Sequence, residues 1–151
     1  MTRHTTSVVV ALLAIAACGG STDTTAGTRQ GTFDEQVAAI CRDIVDAAYE
    51  DVQALYANGE VTASKQAAEY RIRADAVDAL VDEMSLVTPT EPLADVWLDV
   101  LAELSGYAAA SRDLADSIDD GGQNSGVDHP GLDRFRGLRL GGGCSDWLDM
   151  N

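Results

Sequence analysis

Apolar side chains recur every third or fourth residue along three long stretches of this chain, and this spacing is typical of amphipathic helices. The first stretch begins at Thr32-Phe33-Asp34-Glu35, where the threonine hydroxyl can cap a helix and the glutamate can reach back to the threonine backbone. We expect this helix to end at Asn58-Gly59, a pair that suits a left-handed C-terminal cap. Its predicted buried stripe comprises Phe33, Val37, Ile40, Cys41, Ile44, Ala48, Val52 and Leu55.

Two further helices follow the same pattern. Thr62 is placed to cap the second, which is expected to stop before Thr88-Pro89, and Thr90-Glu91-Pro92 introduces the third, which Gly121-Gly122 should end. The predicted buried face of the second helix comprises Ala63, Ala67, Tyr70, Ala74, Val77, Val81 and Met84. That of the third comprises Leu93, Trp97, Val100, Leu104, Ala108, Ala115 and Ile118.

The C-terminal stretch differs from the long helices. Residues Leu132–Leu140 are expected to form a short amphipathic helix that covers the bundle with Leu132, Phe135 and Leu138. Its three arginines are interpreted as partners for carboxylates of the long helices, in preference to a site for lipid headgroups. Because the connections are short and no alternating strand pattern occurs outside the N-terminal segment, the predicted fold is all-α: a small antiparallel bundle of three long helices and a short C-terminal one.

An apolar run from Val8 to Ala17 follows the short polar segment MTRHTTS. This run is shorter than the about 20 residues of a membrane-spanning helix, and its position is typical of a secretory signal. It ends in Ile15-Ala16-Ala17-Cys18, which resembles the lipobox of bacterial lipoprotein signal peptides. The resemblance implies that the Cys18 thiol receives diacylglycerol and that cleavage makes Cys18 the mature N-terminus. Ordinary cleavage near Ala17 and an uncut anchor are the two alternatives.

These features divide the chain into a signal peptide over residues 1–17, a flexible tether over 18–31 and a helical domain over 32–151. The segment from Gly19 to Gly31 lacks large apolar residues, so it cannot form a core. The expected location is the extracytoplasmic face of the cell membrane, where the lipid on Cys18 supplies the anchor.

Export would place the other two cysteines in an oxidising compartment, where thiols pair. With Cys18 acylated, Cys41 and Cys144 remain, and we predict a disulfide that joins the first helix to the C-terminal segment. A redox or metal role is the alternative. It is disfavoured because Cys41 has no CxxC partner and His129 is the sole histidine beyond the signal segment.

The chain is strongly acidic, with 25 Asp and Glu residues against 10 Lys and Arg and a net charge of −15. Removing residues 1–17 takes away Arg3 and no acid, which leaves nine basic residues against 25 acidic ones and a net charge of −16. Nucleic acid is therefore not an expected partner, since binding it requires many cationic contacts with phosphate.

Acidic residues also supply the candidate site. Asp75, Asp78 and Asp82 share a flank of the second helix with Arg71, and this ridge could bind a cation or a basic partner. An ordinary solvated helix face has the same pattern. Asp51 falls within the apolar stripe of the first helix, so it is predicted to be buried against an arginine of the C-terminal segment.

No catalytic or cofactor motif is present. The loop over residues 119–128 does not have the ligand spacing of a calcium-binding loop, and the sequence contains no GxSxG, HExxH or CxxCH motif. We therefore expect no enzymatic activity, no catalytic residues, no metal and no cofactor.

A second apolar row on the second helix comprises Ile72, Ala79 and Leu86, and Leu98 is placed similarly on the third. Such rows are expected to pack on neighbouring helices or on the C-terminal segment, and a row that stays exposed would mark a surface for a partner. The function expected from these features is that of a lipid-anchored binding or accessory protein that contacts another envelope protein. The alternative is a small-ligand or cation-binding lipoprotein that uses a bundle cavity or the acidic ridge, and an enzyme with a carboxylate pair ranks third.

Overall fold

The fold is an all-α bundle in which four helices follow one another along the chain. A computed structural model describes residues 31–138 and Cys144, and these residues contain helices and connecting segments but no strand. The predicted signal peptide, the lipid site at Cys18 and the tether before Gly31 lie outside the described residues. The helices are α1 (Phe33–Leu55), α2 (Ala63–Ser85), α3 (Ala94–Asp119) and α4 (Pro130–Gly137).

Helix α1 begins at the predicted capping box. The Thr32 hydroxyl accepts a hydrogen bond from the Glu35 amide at 3.4 Å, and the Glu35 carboxylate accepts one from the Thr32 amide at 2.8 Å. The bond from the Thr32 backbone to the charged carboxylate lowers the pKa of Glu35. At the other end α1 stops at Leu55, and the left-handed residue Gly59 (φ +73°) follows after a short turn.

Side-chain pairs between α2 and α3 show that these two helices run antiparallel. Arg71 near the start of α2 contacts Asp116 near the end of α3, whereas Met84 near the end of α2 accepts a hydrogen bond from Trp97 near the start of α3. Residues near the start of α2 therefore contact the end of α3, and residues near the end of α2 contact the start of α3.

Small residues allow α2 and α3 to pack closely. Ala67, Ala74, Ala108 and Ala115 are fully buried, and a side chain without γ atoms lets two helix backbones approach. Larger apolar side chains fill the rest of the core and include Val77, Leu80, Met84, Val100 and Leu104. The ring of Phe33 contacts that of Trp97 edge-on at 5.1 Å, which joins α1 to the same core.

Helix α4 covers the bundle by packing on α3 through Leu132 and Phe135. The predicted disulfide is confirmed: Cys41 of α1 is bonded to Cys144, their Cα atoms are 5.3 Å apart, and both are buried. The predicted pairing of the three arginines with the long helices is confirmed for Arg134, which binds Glu103 of α3 at 2.7 Å. Arg136 binds Asp133 of α4 itself at 2.9 Å, and Arg139 lies outside the described residues.

Two helix starts and the burial of one residue differ from the sequence expectation. Helix α4 starts at Pro130 instead of Leu132, because proline is well suited to the first turn of a helix. Helix α3 starts at Ala94, after a turn that contains the cis peptide bond Glu91–Pro92. Ala63 is exposed instead of buried, because it is the first residue of α2 and lies beyond the core.

Candidate functional site

The acidic ridge of α2 lies at the seam with α3. Arg112 of α3 donates to Asp75 at 2.8 Å and to Asp78 at 2.6 Å, so one guanidinium bridges two of the three ridge residues. Arg71 does not pair along its own helix but reaches across to Asp116 and Asp119 of α3, at 2.7 and 2.8 Å. Asp82 is exposed and makes no ion pair with another described residue. The ridge is therefore partly neutralised by α3.

These ion pairs orient the helices more than they stabilise them. The side chains involved are largely open to water, where an ion pair adds little to stability. The hydrogen bonds to Asp116 and Asp119 raise the pKa of Arg71, and those to Asp75 and Asp78 raise the pKa of Arg112. Within residues 31–138 and Cys144, no group of three His, Cys, Asp or Glu side chains is placed to hold a metal ion. Cation binding by the ridge stays a prediction.

The prediction that Asp51 is buried against an arginine of the C-terminal segment is wrong. Its side chain is exposed, and it makes no ion pair with an arginine among the described residues. The physical reason is that α1 is buried chiefly along its first two-thirds, where its buried residues run from Phe33 to Ala48. Asp51 lies beyond this contact, so the apolar stripe around it is only partly covered.

A groove of about 360 Å³ runs between α1 and α2 at the place where Asp51 lies. Ala48 and Ala76 are buried in it, Ile44 and Ile72 are half-buried, and the shortness of the alanine side chains leaves the space open. The remaining residues that line it are exposed: Ala47, Ala79, Asp43, Asp51 and Asp75. This groove combines an apolar floor with an acidic rim.

A second cavity, of about 310 Å³, lies where the end of α1 meets the start of α2 and the loop before α4. We call it the polar cleft, and its lining residues are Tyr56, Val61, Gln66, Glu69, Tyr70, Arg73 and Asn124. Glu69 accepts from Tyr56 at 2.8 Å and from Arg73 at 2.5 Å, so each of its carboxylate oxygens has a donor. Burial, together with the bond to Glu69, raises the pKa of Tyr56 to about 12.

Arg73 is the unusual member of the polar cleft. Its side chain is only 8% exposed, and while Nη2 binds Glu69, the buried Nη1 has no hydrogen-bond partner among residues 31–138 and Cys144. A buried donor without an acceptor costs about 1–3 kcal/mol, and more when the group is charged. On the opposite side, Tyr70 donates to Asn124 at 2.8 Å, which ties the loop to α2.

The polar cleft is not predicted from the sequence, although one of its contacts has a local sequence pattern. Glu69 and Arg73 are four residues apart and therefore adjacent on one helix face. Tyr56 and Asn124 are 13 and 54 residues away from their partners, and no local pattern indicates those contacts. The expectation that the second apolar rows pack on neighbouring elements is wrong for Leu86 and Leu98, which are 69% and 73% exposed.

Comparisons with known proteins leave the chain without a family: no family model, curated protein or solved structure matches it. None of the described helices has the length and apolar character needed to cross a membrane.

Proposed function

We propose that this chain is an exported, lipid-anchored binding protein of the cell envelope, and that the groove between α1 and α2 holds a cationic amphipathic helix of a partner protein. The observation that carries the proposal is the pairing of an apolar floor with an acidic rim in a single groove. The lipobox-like sequence around Cys18 supports the anchor, and the binding role requires no catalysis, metal or cofactor.

The dimensions of the groove suit a helix. Asp43 and Asp51 on α1 are eight residues apart, which corresponds to about 12 Å along the helix axis, or about two turns. A partner helix with apolar residues at i, i+3, i+4 and i+7 would present one apolar stripe of this length to Ile44 and Ile72. The alanines of the groove leave room for its side chains.

The negative charge of the groove favours a cationic partner helix over a neutral one. Three exposed carboxylates line the groove, and one of them, Asp75, is shared with Arg112. Lysine or arginine residues that flank the apolar stripe of the partner would lie beside these carboxylates. The net charge of −15 adds a long-range attraction for such a partner and speeds encounter at low salt.

A designed peptide tests the groove directly. The probe is a helical peptide with leucine and alanine on one face and lysines on both flanks, and its affinity is measured by fluorescence anisotropy at two salt concentrations. We expect saturable binding that weakens with salt, and we expect Asp51→Lys to lower the affinity about tenfold, because the exchange puts a like charge beside the lysines.

Asp46→Lys is the matched control, because Asp46 is also exposed on α1 but does not line the groove. It makes the same change in net charge, and we expect it to alter the affinity about twofold or less. Equal losses for the two variants would mean that the peptide responds to overall charge, and the groove would then be excluded as the binding site. Equal binding of a peptide with glutamates in place of the lysines would also contradict the proposal.

The anchor has its own test. Intact-mass analysis of the protein from bacterial membranes should show a chain that starts at Cys18 and carries acyl groups. Cys18→Ala should abolish both the acylation and the cleavage, because the thiol is the group that takes the lipid. A native chain with an unmodified Cys18 thiol would contradict the lipid anchor but would leave the groove unaffected.

A further inference from the structure

The polar cleft lacks the acidic excess of the whole chain. Among its seven lining residues Arg73 is the one cation and Glu69 the one anion, and these two are paired. Lys65, the sole lysine of the sequence, lies beside them with its ammonium group 5.8 Å from the centre of the Tyr56 ring. Lys65 also donates to Asn58. The described lining residues therefore have a formal charge of zero in a chain of −15, and Lys65 adds a cation beside them.

Internal hydrogen bonds use both carboxylate oxygens of Glu69 but only part of the Arg73 guanidinium. One oxygen of Glu69 accepts a hydrogen bond from Tyr56 and the other accepts one from Arg73. Both oxygens are therefore satisfied without a donor from a ligand. Nη1 of Arg73 is buried and has no acceptor within the described part of the chain. Buried charged donors are normally satisfied, and one that is not satisfied indicates a missing acceptor.

We propose that the polar cleft binds a small organic carboxylate, with a carboxylate oxygen accepting from the Arg73 guanidinium and the body of the molecule against Val61, Tyr56 and Tyr70. A carboxylate forms a charge-assisted bond with a guanidinium, which a neutral carbonyl cannot match in strength. A dianion such as a phosphate monoester is disfavoured because the neighbouring Glu69 carboxylate repels the second charge. The volume of about 310 Å³ is at the lower end of the range for small-molecule sites.

Aromatic and amide groups complete the recognition. The rings of Tyr56 and Tyr70 offer apolar faces, and the side-chain amides of Gln66 and Asn124 can donate to a second oxygen. Among the described residues this site shares no lining residue with the groove between α1 and α2, so each proposal can be tested with variants of its own.

The test uses the purified full-length protein and three probes of one shape: benzoate, benzamide and phenyl phosphate. Amide and side-chain NH2 resonances of Gln66 and Asn124 are followed by NMR during each titration. We expect benzoate to shift these resonances in a saturable way, and we expect benzamide and phenyl phosphate to bind about tenfold more weakly or not at all.

Two variants that differ only in position locate the binding. Val61 is 66% exposed and lines the cleft, whereas Leu98 is 73% exposed and does not line it, so both positions tolerate a charge without loss of the core. Val61→Glu should weaken benzoate binding about tenfold by repulsion, whereas Leu98→Glu should change it about twofold or less.

Arg73→Lys provides the direct test of the contact and should also abolish the benzoate shifts, because an ammonium cannot bond Glu69 and the ligand with the same fork geometry. Circular dichroism is recorded on each variant, and if Arg73→Lys does not fold, the comparison of Val61→Glu with Leu98→Glu decides. Equal binding of benzoate and benzamide, equal losses in the two glutamate variants, or no shift with benzoate would each overturn the proposal.

Discussion

Replacement of both Cys41 and Cys144 by alanine is expected to lower the free energy of unfolding by about 2–5 kcal/mol. The disulfide joins residues 103 positions apart, and a cross-link over a loop of this length removes a large part of the freedom of the unfolded chain. For a domain of this size the loss is a large share of the total stability. The measurement is urea unfolding followed by circular dichroism, for the oxidised protein and the double variant.

Reduction of the unmodified protein is the matched control for that comparison. With a strong reductant present throughout the titration, the unmodified chain should unfold near the urea concentration of the double variant, and the reductant should leave the double variant unchanged. If oxidised and reduced protein unfolded at the same urea concentration, the loop closed by Cys41 and Cys144 would contribute nothing to stability. Alanine is preferred to serine here because both sites are buried and a hydroxyl there would lack a partner.

Phe135→Ala is expected to cost about 3–5 kcal/mol, because Phe135 is the largest apolar side chain with which α4 covers the bundle and it is only 1% exposed. Its loss leaves a cavity against α3 that Leu132 cannot fill from one turn away. The oxidised protein is used, so that the disulfide keeps the C-terminal segment close. The free energy of unfolding in urea and the thermal midpoint are both measured.

Leu98→Ala is the control for this truncation. It removes an apolar side chain from α3, to which α4 packs, but Leu98 is 73% exposed. We expect a change of about 0.5 kcal/mol or less. A cost below about 1 kcal/mol for Phe135→Ala would mean that α4 is not part of the cooperative unit and that three helices carry the stability.

Much of the architecture can be predicted because it depends on local patterns. The Thr32 capping box, the Thr62 cap and the apolar spacing of three helices are readable from neighbouring residues, and the structure confirms them. The disulfide could be inferred because the assignment of Cys18 to a lipid left only two cysteines to pair. The start of α3 is predicted less accurately, because the sequence does not show whether Pro92 lies in the helix or in the turn before it.

The candidate sites were harder to predict because they depend on contacts between helices. The apolar stripe of α1 predicts a buried Asp51, because Asp51 falls within the stripe. The stripe does not show how far along α1 the neighbouring helices pack, and Asp51 lies beyond that contact. Similarly, Arg71 and Asp75 are neighbours on α2, and yet each pairs with α3, because the antiparallel register brings longer-range partners within reach. The polar cleft joins two helices and a loop, so a pattern on one helix reveals only the Glu69–Arg73 pair.

The cross-link between Cys41 and Cys144 also turns most of the folded chain into a covalent ring. Every connection between helices, from the turn after Leu55 to the loop before Pro130, lies inside that ring. A protease that cuts any one of these connections would open the ring and still leave a single molecule, with both pieces held by the sulfur bridge. A chain closed in this way keeps its parts together after a single cut in any of these connections.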